Sequence, residues 1–203
     1  MDFDTDFMDI YTDEDFEMPS PNINIHNITK DDMLNGDGLR VVLWVAGCNH
    51  HCKECQNPIT WDENGGIPFT AWEEAEFYDA LNKPYIQGAT FSGGDPLHPK
   101  NREEIGKIMK NIKEKYPNKD IWLYTGYTLS LSDQKFIFED SDIGEAFEYP
   151  FLKYIDVLID GKFECETRKR DIADSKKFEW CGSSNQRVID VQATLGSKQI
   201  VVR

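Results

Sequence analysis

Arg40-Val41-Val42-Leu43-Trp44-Val45-Ala46-Gly47-Cys48-Asn49-His50-His51-Cys52-Lys53-Glu54-Cys55 is the stretch from which the fold can be read. Its first six residues form a near-continuous apolar run of strand length, the pattern of a parallel strand covered on both faces. Asn35-Gly36-Asp37-Gly38, just before it, is a turn signal. Immediately after the run, three of the five cysteines fall within eight residues, spaced Cys-x3-Cys-x2-Cys. Thiolates are favoured ligands of iron–sulfur clusters and of zinc. Three of them on one short loop can cap three irons of a cubane and leave the fourth iron open. A closed zinc site would instead need a fourth donor, for which His50, His51, Cys165 and Cys181 are the candidates. Both histidines sit inside the small Cys48–Cys52 loop, where tetrahedral ligation is cramped. Disulfides are disfavoured, because pairing within the trio leaves one thiol over.

Outward from this stretch, strand and helix patterns alternate. Thr70-Ala71-Trp72-Glu73 fits a capping box, and Trp72, Ala75, Tyr78 and Leu81 are expected on one face of the helix it opens. Ala89-Thr90-Phe91 reads as a strand leading into Ser92-Gly93-Gly94-Asp95-Pro96-Leu97. Residues 101–115 carry Ile105, Ile108, Met109 and Ile112 at i, i+3, i+4, i+7, the clearest helix in the chain. Pro117-Asn118 ends it, and Ile121-Trp122-Leu123-Tyr124 forms the next strand. A less regular helical region is expected over 131–149, then a strand over 154–160. Arg187 to Val191 and Gln199 to Val202 read as two short strands around Gly196. No internal repeat is visible. Strand–helix–strand alternation implies a largely parallel sheet with right-handed crossovers. Four such strands are too few for a closed eight-unit barrel, which takes about 250 residues. The expected fold is therefore α/β, a partial (open) parallel β/α barrel with its chemistry at the carboxyl ends of the strands.

The 203 residues carry a formal net charge of −15. Eight of the 37 acidic residues and none of the 22 basic ones fall in residues 1–22, a segment punctuated by Pro19-Ser20-Pro21. The expected organisation is a solvated, disordered acidic tail over 1–22 and one domain over 23–203. Phe3, Phe7, Ile10, Tyr11 and Phe16 leave open a second reading of the tail as a docking segment for a partner. An acidic chain lacks the basic footprint that nucleic-acid binding needs. No apolar run approaches the ~20 residues that span a bilayer, and the start does not read as a signal peptide. No nucleic-acid or membrane partner is expected, and a cytoplasmic location is.

Cys-x3-Cys-x2-Cys directly after the first barrel strand resembles the hallmark of the radical S-adenosylmethionine superfamily. The resemblance implies a [4Fe–4S] cluster held by Cys48, Cys52 and Cys55, with S-adenosylmethionine chelating the open iron. It also implies the partial barrel. Glu54 stands where an aromatic residue often precedes the third cysteine, and Glu54 and Gln56 are expected to flank the adenine. Gly93, Gly94 and Asp95 match the superfamily's Gly-Gly-Glu motif for the methionine amino group, with Asp95 as a shorter carboxylate. Paired glycines allow close backbone approach and unusual dihedrals. Asp160-x-Lys162 resembles an Asp-x-Lys pair that contacts S-adenosylmethionine, against the alternative of a strand-end turn with exposed charges. Thr125-Gly126-Tyr127 ends a strand where a ligand-facing loop belongs. His98 is read as a surface or loop histidine, and Cys165 and Cys181 as structural thiols or bystanders.

Within the superfamily the text is similar to the activases of anaerobic (class III) ribonucleoside-triphosphate reductases. The matching stretches are Asn35-Gly36-x-Gly38-x-Arg40, the Gly47–Cys55 loop, Asn57 with Trp61, and Ser92 to Pro99. Further matches are Asp120 to Tyr127, Asp156 to Phe163, and Trp180-x-Gly182-Ser183-Ser184-Asn185-Gln186. Asp37, Cys181 and the acidic tail depart from the pattern. This likeness implies reductive cleavage of S-adenosylmethionine and formation of a glycyl radical on the reductase large subunit. The electron would come from a one-electron donor such as reduced flavodoxin, and no side chain need act as a catalytic acid or base. An activase for a pyruvate formate-lyase-type enzyme, or a zinc-ribbon-like interaction module, are the rival readings.

Overall fold

The computed structural model describes residues 22–168 and 180–203. The expected tail, all but Asn22, lies outside the described residues. In chain order the elements are β1 (Asn24–Asp32), β2 (Arg40–Val45), β3 (Ile67–Pro68), α1 (Ala71–Leu81), β4 (Gly88–Gly93), α2 (Arg102–Lys115) and β5 (Asp120–Tyr124). There follow β6 (Thr128–Ser132), β7 (Lys135–Asp140), β8 (Glu145–Glu148), β9 (Val157–Asp160), β10 (Arg187–Asp190) and α3 (Val191–Ser197).

A seven-stranded open sheet runs β10-β9-β5-β4-β2-β1-β3. Its centre is parallel, with Leu43 paired to Phe91, Phe91 to Leu123, and Leu123 to Leu158. Antiparallel β1 and β10 flank it. The four parallel strands stand side by side in their order along the chain, so every crossover steps one place in the same direction. Right-handed steps in one direction put their connections on one face. The packing agrees: Val41, Leu43, Ala89, Phe91, Ile121 and Leu123 share one apolar core with Phe77 and Leu81 of α1 and Ile105, Ile108 and Met109 of α2. The opposite face carries a smaller cluster of Trp122, Val157 and Ile159. The sheet is mixed and does not close into a barrel.

The capping box at Thr70 forms: Glu73 accepts from the Thr70 amide at 2.9 Å, and the Thr70 hydroxyl accepts from Trp72. The expected face of α1 needs correction. Trp72 is 83% exposed, and the buried side chains are Phe77, Ala80 and Leu81. Steps of three residues fall short of the ~3.6-residue turn, so nine residues on, Leu81 stands on the opposite side of the helix from Trp72. α2 buries the expected Ile105, Ile108, Met109 and Ile112.

The expected helical region 131–149 is instead a separate three-stranded antiparallel sheet, β6-β7-β8, inserted between β5 and β9. Asp133 and Gln134 form its two-residue hairpin, both at positive φ (47° and 66°), as a type I′ turn requires. Neither is the glycine that usually marks such a turn. Alternation in Lys135-Phe136-Ile137-Phe138-Glu139 is blurred by Ile137, which masks the two-residue period. The expected strand 199–202 reduces to a single bridge, Ile189 to Val202, because residues 191–197, Gly196 included, form α3.

Candidate metal centre and adjoining cavity

All four parallel strands end at one place. The cysteine loop leaves β2, the Gly93-Gly94-Asp95 turn leaves β4, Thr125-Gly126 leaves β5, and Asp160-Gly161-Lys162 leaves β9. The loop is curled by left-handed residues, Gly47 (φ 99°), His51 (45°) and Glu54 (55°). Its entrance is tied down by the amides of Gly47 and Cys48, which donate to the carbonyls of Thr60 and Trp61 at 2.8 and 3.1 Å. Cys48, Cys52 and Cys55 are half-buried free thiols.

Each sulfur is met by backbone N–H groups: His50 and His51 at Cys48, Phe163 at Cys52, and Asn57 at Cys55 (3.3 Å). Such donors suit thiolate sulfur, and sulfur hydrogen bonds tune iron–sulfur clusters. The donor set therefore fits a cluster. Burial, reinforced by Asp95, pushes the Cys48 thiol up to about 12. Burial also raises Cys52, with the Phe163 amide and the Lys162 ammonium opposing it. Ligation at these sulfurs thus depends on a metal charge to displace the proton.

The candidate fourth donors of the rival zinc site are engaged elsewhere. Both ring nitrogens of His50 face carboxylates, and His51 packs edge-on to Trp61 at 4.8 Å. Cys165 lies beside Glu166, and the Cys181 thiol donates to the Gln186 carbonyl at 3.6 Å. Among the described residues, no three His, Cys, Asp or Glu side chains gather around a single-metal point.

The glycine turn is the seat of the cysteine loop. A Cβ at Gly94 would lie 2.5 Å from the Gly47 carbonyl oxygen and 2.9 Å from that of Thr60. Gly93, at φ 105°, takes a backbone conformation that side chains rarely adopt. The amides that follow are taken by backbone carbonyls. Gly94 donates to Val45 at 2.8 Å and Asp95 to Gly47 at 2.7 Å.

The Asp95 carboxylate is 2% exposed. It accepts from His50 Nε2 at 2.7 Å, from the amides of Leu97 and Gly126 at 2.8 Å, and from the Thr125 hydroxyl. Burial would raise its pKa, but the His50 ring and these donors outweigh it and hold the group below the usual carboxylate range. His98, 5% exposed, meets Asn49 at 3.1 Å.

Beside the loop a cavity of about 470 Å³ opens between the parallel strand ends and the inserted sheet. Gly126, Thr128, Asp140, Asp160, Lys162 and Arg187 are among its lining. The volume is that of a small-molecule site. Asp160 is 1% exposed, accepts from the Leu129 amide at 2.8 Å and is paired with Arg187. Lys162 bridges Asp140 and Asp142, each at 2.9 Å. The Asp160-x-Lys162 pair therefore reaches the cavity wall with its charges already countered.

Glu54 and Gln56 are exposed. Glu54 pairs with Arg168 through its carboxylate (3.3 Å) and its carbonyl (3.0 Å). Sequence reasoning did not find Asp140 or Arg187. Asp140 lies in the stretch expected to be helical, and Arg187 is recognisable only once its pairing with Asp160 is seen.

A family model described as a 4Fe-4S single cluster domain matches residues 34–189. The anaerobic ribonucleoside-triphosphate reductase-activating protein of Enterobacteria phage T4 is 42% identical over 166 residues, covering 82% of this chain and 93% of that protein. Its namesake in Escherichia coli (strain K12) is 40% identical over 168 residues, 82% and 97% of the two chains. The Pasteurella multocida namesake is 41% identical over 157 residues, 76% and 89%.

Proposed function

The chain belongs to the family of anaerobic ribonucleoside-triphosphate reductase-activating proteins, which carry a 4Fe-4S domain, and on that premise we propose that it is a radical S-adenosylmethionine activase of a class III reductase. A cluster held in the cysteine loop would supply the one electron for reductive cleavage of S-adenosylmethionine to methionine and a 5′-deoxyadenosyl radical, which would take a hydrogen atom from a backbone glycine of the reductase large subunit. Cys48, Cys52 and Cys55 would hold three irons. Lys162 would offer the methionine carboxylate its ammonium, while Asp160, buried and paired with Arg187, would act on the methionine end through the charge of the cavity wall. The Gly93-Gly94-Asp95 turn, with the Gly94 amide committed to β2 and the Asp95 amide to Gly47, would offer the ligand its carbonyl groups. Glu54 and Gln56, exposed beside the third thiol, would flank the adenine.

One observation carries this reading. The cysteine loop and the glycine turn sit at the carboxyl ends of four parallel strands wound in one direction, and a cavity of small-molecule size opens between the ends of β5 and β9 and the inserted sheet. That winding is what a partial β/α barrel of the radical S-adenosylmethionine type would have. An open sheet also leaves a lateral approach through which a protein loop could reach the radical. A one-electron donor such as reduced flavodoxin completes the reaction, and the cytoplasm is the proposed location. Among the described residues no helix is long and apolar enough to cross a membrane.

The test is anaerobic mixing of the reconstituted protein with a class III reductase, S-adenosylmethionine and a reductant. A glycyl-radical signal in electron paramagnetic resonance is expected on the reductase, and none on a pyruvate formate-lyase used in parallel. The reverse pattern would make the protein a different activase, and no radical on either would refute the activity.

A further inference from the structure

His50 is the one buried side chain in the run from Cys48 to Cys55. Its Nε2 meets Asp95 Oδ2 and its Nδ1 meets Asp140 Oδ2, both at 2.7 Å. The ring stands edge-on to Tyr127 at 4.7 Å. It also lies so close to Gly126 that a Cβ there would fall 2.3 Å from its Cδ2. Three strand ends and the inserted sheet thus close around one imidazole. Asp140 continues the contact: the same Oδ2 accepts from Lys162 at 2.9 Å, and Lys162 lines the cavity. A continuous polar chain therefore runs from the cavity wall to the middle of the cysteine loop, and its central link is supplied by β7.

We infer that His50 is a positioning residue that couples occupancy of the cavity to the geometry of the cysteine loop, through Lys162 and Asp140. The inference rests on the activase reading and deepens it. Lys162 divides its ammonium between buried Asp140 and exposed Asp142. A ligand carboxylate in the cavity would take the place of exposed Asp142 on that ammonium, leaving Asp140 as the anchor that holds Lys162 at the wall and His50 in the loop. Coupling of this kind is reciprocal, so a loop fixed by His50 also binds the ligand better. The inserted sheet then has a function beyond connecting β5 to β9, since it carries the aspartate that closes the chain.

Asp140→Asn, His50→Gln and the double variant test this, with iron content and melting temperature measured alongside. Asp140→Asn keeps the shape of the link and alters no residue of the cysteine loop. It is expected to hold iron like the wild type, yet to need about tenfold more S-adenosylmethionine for half-maximal 5′-deoxyadenosine formation, with kcat within about twofold, a loss of about 1.4 kcal/mol. The change that S-adenosylmethionine causes in the reduced cluster's paramagnetic resonance spectrum should weaken in parallel. The double variant should be no worse than the more impaired single one, because both break one link. Variants that melt lower but keep wild-type half-saturation and spectral response would reduce His50 to a structural pin and overturn the inference. So would additive losses in the double variant. A wild-type protein that forms no 5′-deoxyadenosine would refute the activase reading itself, a result distinct from either.

Discussion

Strands β2, β4, β5 and β9 are buried along nearly their whole length, whereas β6 and β7 bury only Leu129, Phe138 and Asp140 and β8 is nowhere fully buried. Both sheets reach the same site. The parallel strands contribute backbone: turns whose close approach holds the cysteine loop. The inserted sheet contributes charge, Asp140 against His50 and Glu145 against Arg102 and Tyr127. The difference teaches that apolar packing of the parallel strands sets the position of the site and of Asp95, while a region with little core of its own adds Asp140 as a second carboxylate on His50.

The contrast can be broken most forcefully in the core. Phe91, fully buried and 6.2 Å from Phe77 ring to ring, should cost about 3–5 kcal/mol as Phe91→Ala in urea unfolding. Leu131→Ala in the inserted sheet, 41% exposed, should stay within about 0.5 kcal/mol. Equal losses would deny the two regions their different roles.

Gly94→Ala comes next. The added methyl meets the Gly47 and Thr60 carbonyls, and overpacking of this kind costs about 1–3 kcal/mol. Iron content after reconstitution should fall well below that of the wild type, and full loading would show that the turn does not seat the loop.

Glu145 sharpens the comparison through pH. Burial would raise its pKa, but Tyr127 and Arg102 outweigh that and hold it below the usual carboxylate range. A depressed carboxylate stabilises the fold above its unfolded value of about 4.3 and loses that contribution as pH falls through the folded value. Glu145→Gln should cost on the order of 1 kcal/mol at pH 7, and its stability should decline less than the wild type's between pH 5 and 3. An unchanged acid limb would remove Glu145 from the contact. Gly144→Ala closes the series. Its Cβ meets nothing within 4 Å, and only φ 68° opposes it, so the loss should be about 1 kcal/mol by thermal melting, the low end for a left-handed residue.

The parallel strands and α2 were legible because each buries a continuous or four-residue-spaced apolar set, as Val41 to Val45 and Ile105 to Ile112 do. The cysteine loop was legible because its chemistry is local in sequence. Asp140 was not, because its meaning depends on a hairpin turned by Asp133-Gln134 that brings it to His50, ninety residues earlier. The Gly94 seat was half legible. The glycines announced a close approach, but only the fold shows that what approaches is the Gly47 backbone.

The most direct test of the central claim is 5′-deoxyadenosine formation by the anaerobically reconstituted, reduced protein and by Cys48→Ala, Cys52→Ala and Cys55→Ala. Product from the wild type and none from the three variants is the predicted result. Sustained product from any one of the variants would contradict the assignment of those three sulfurs as the cluster's ligands.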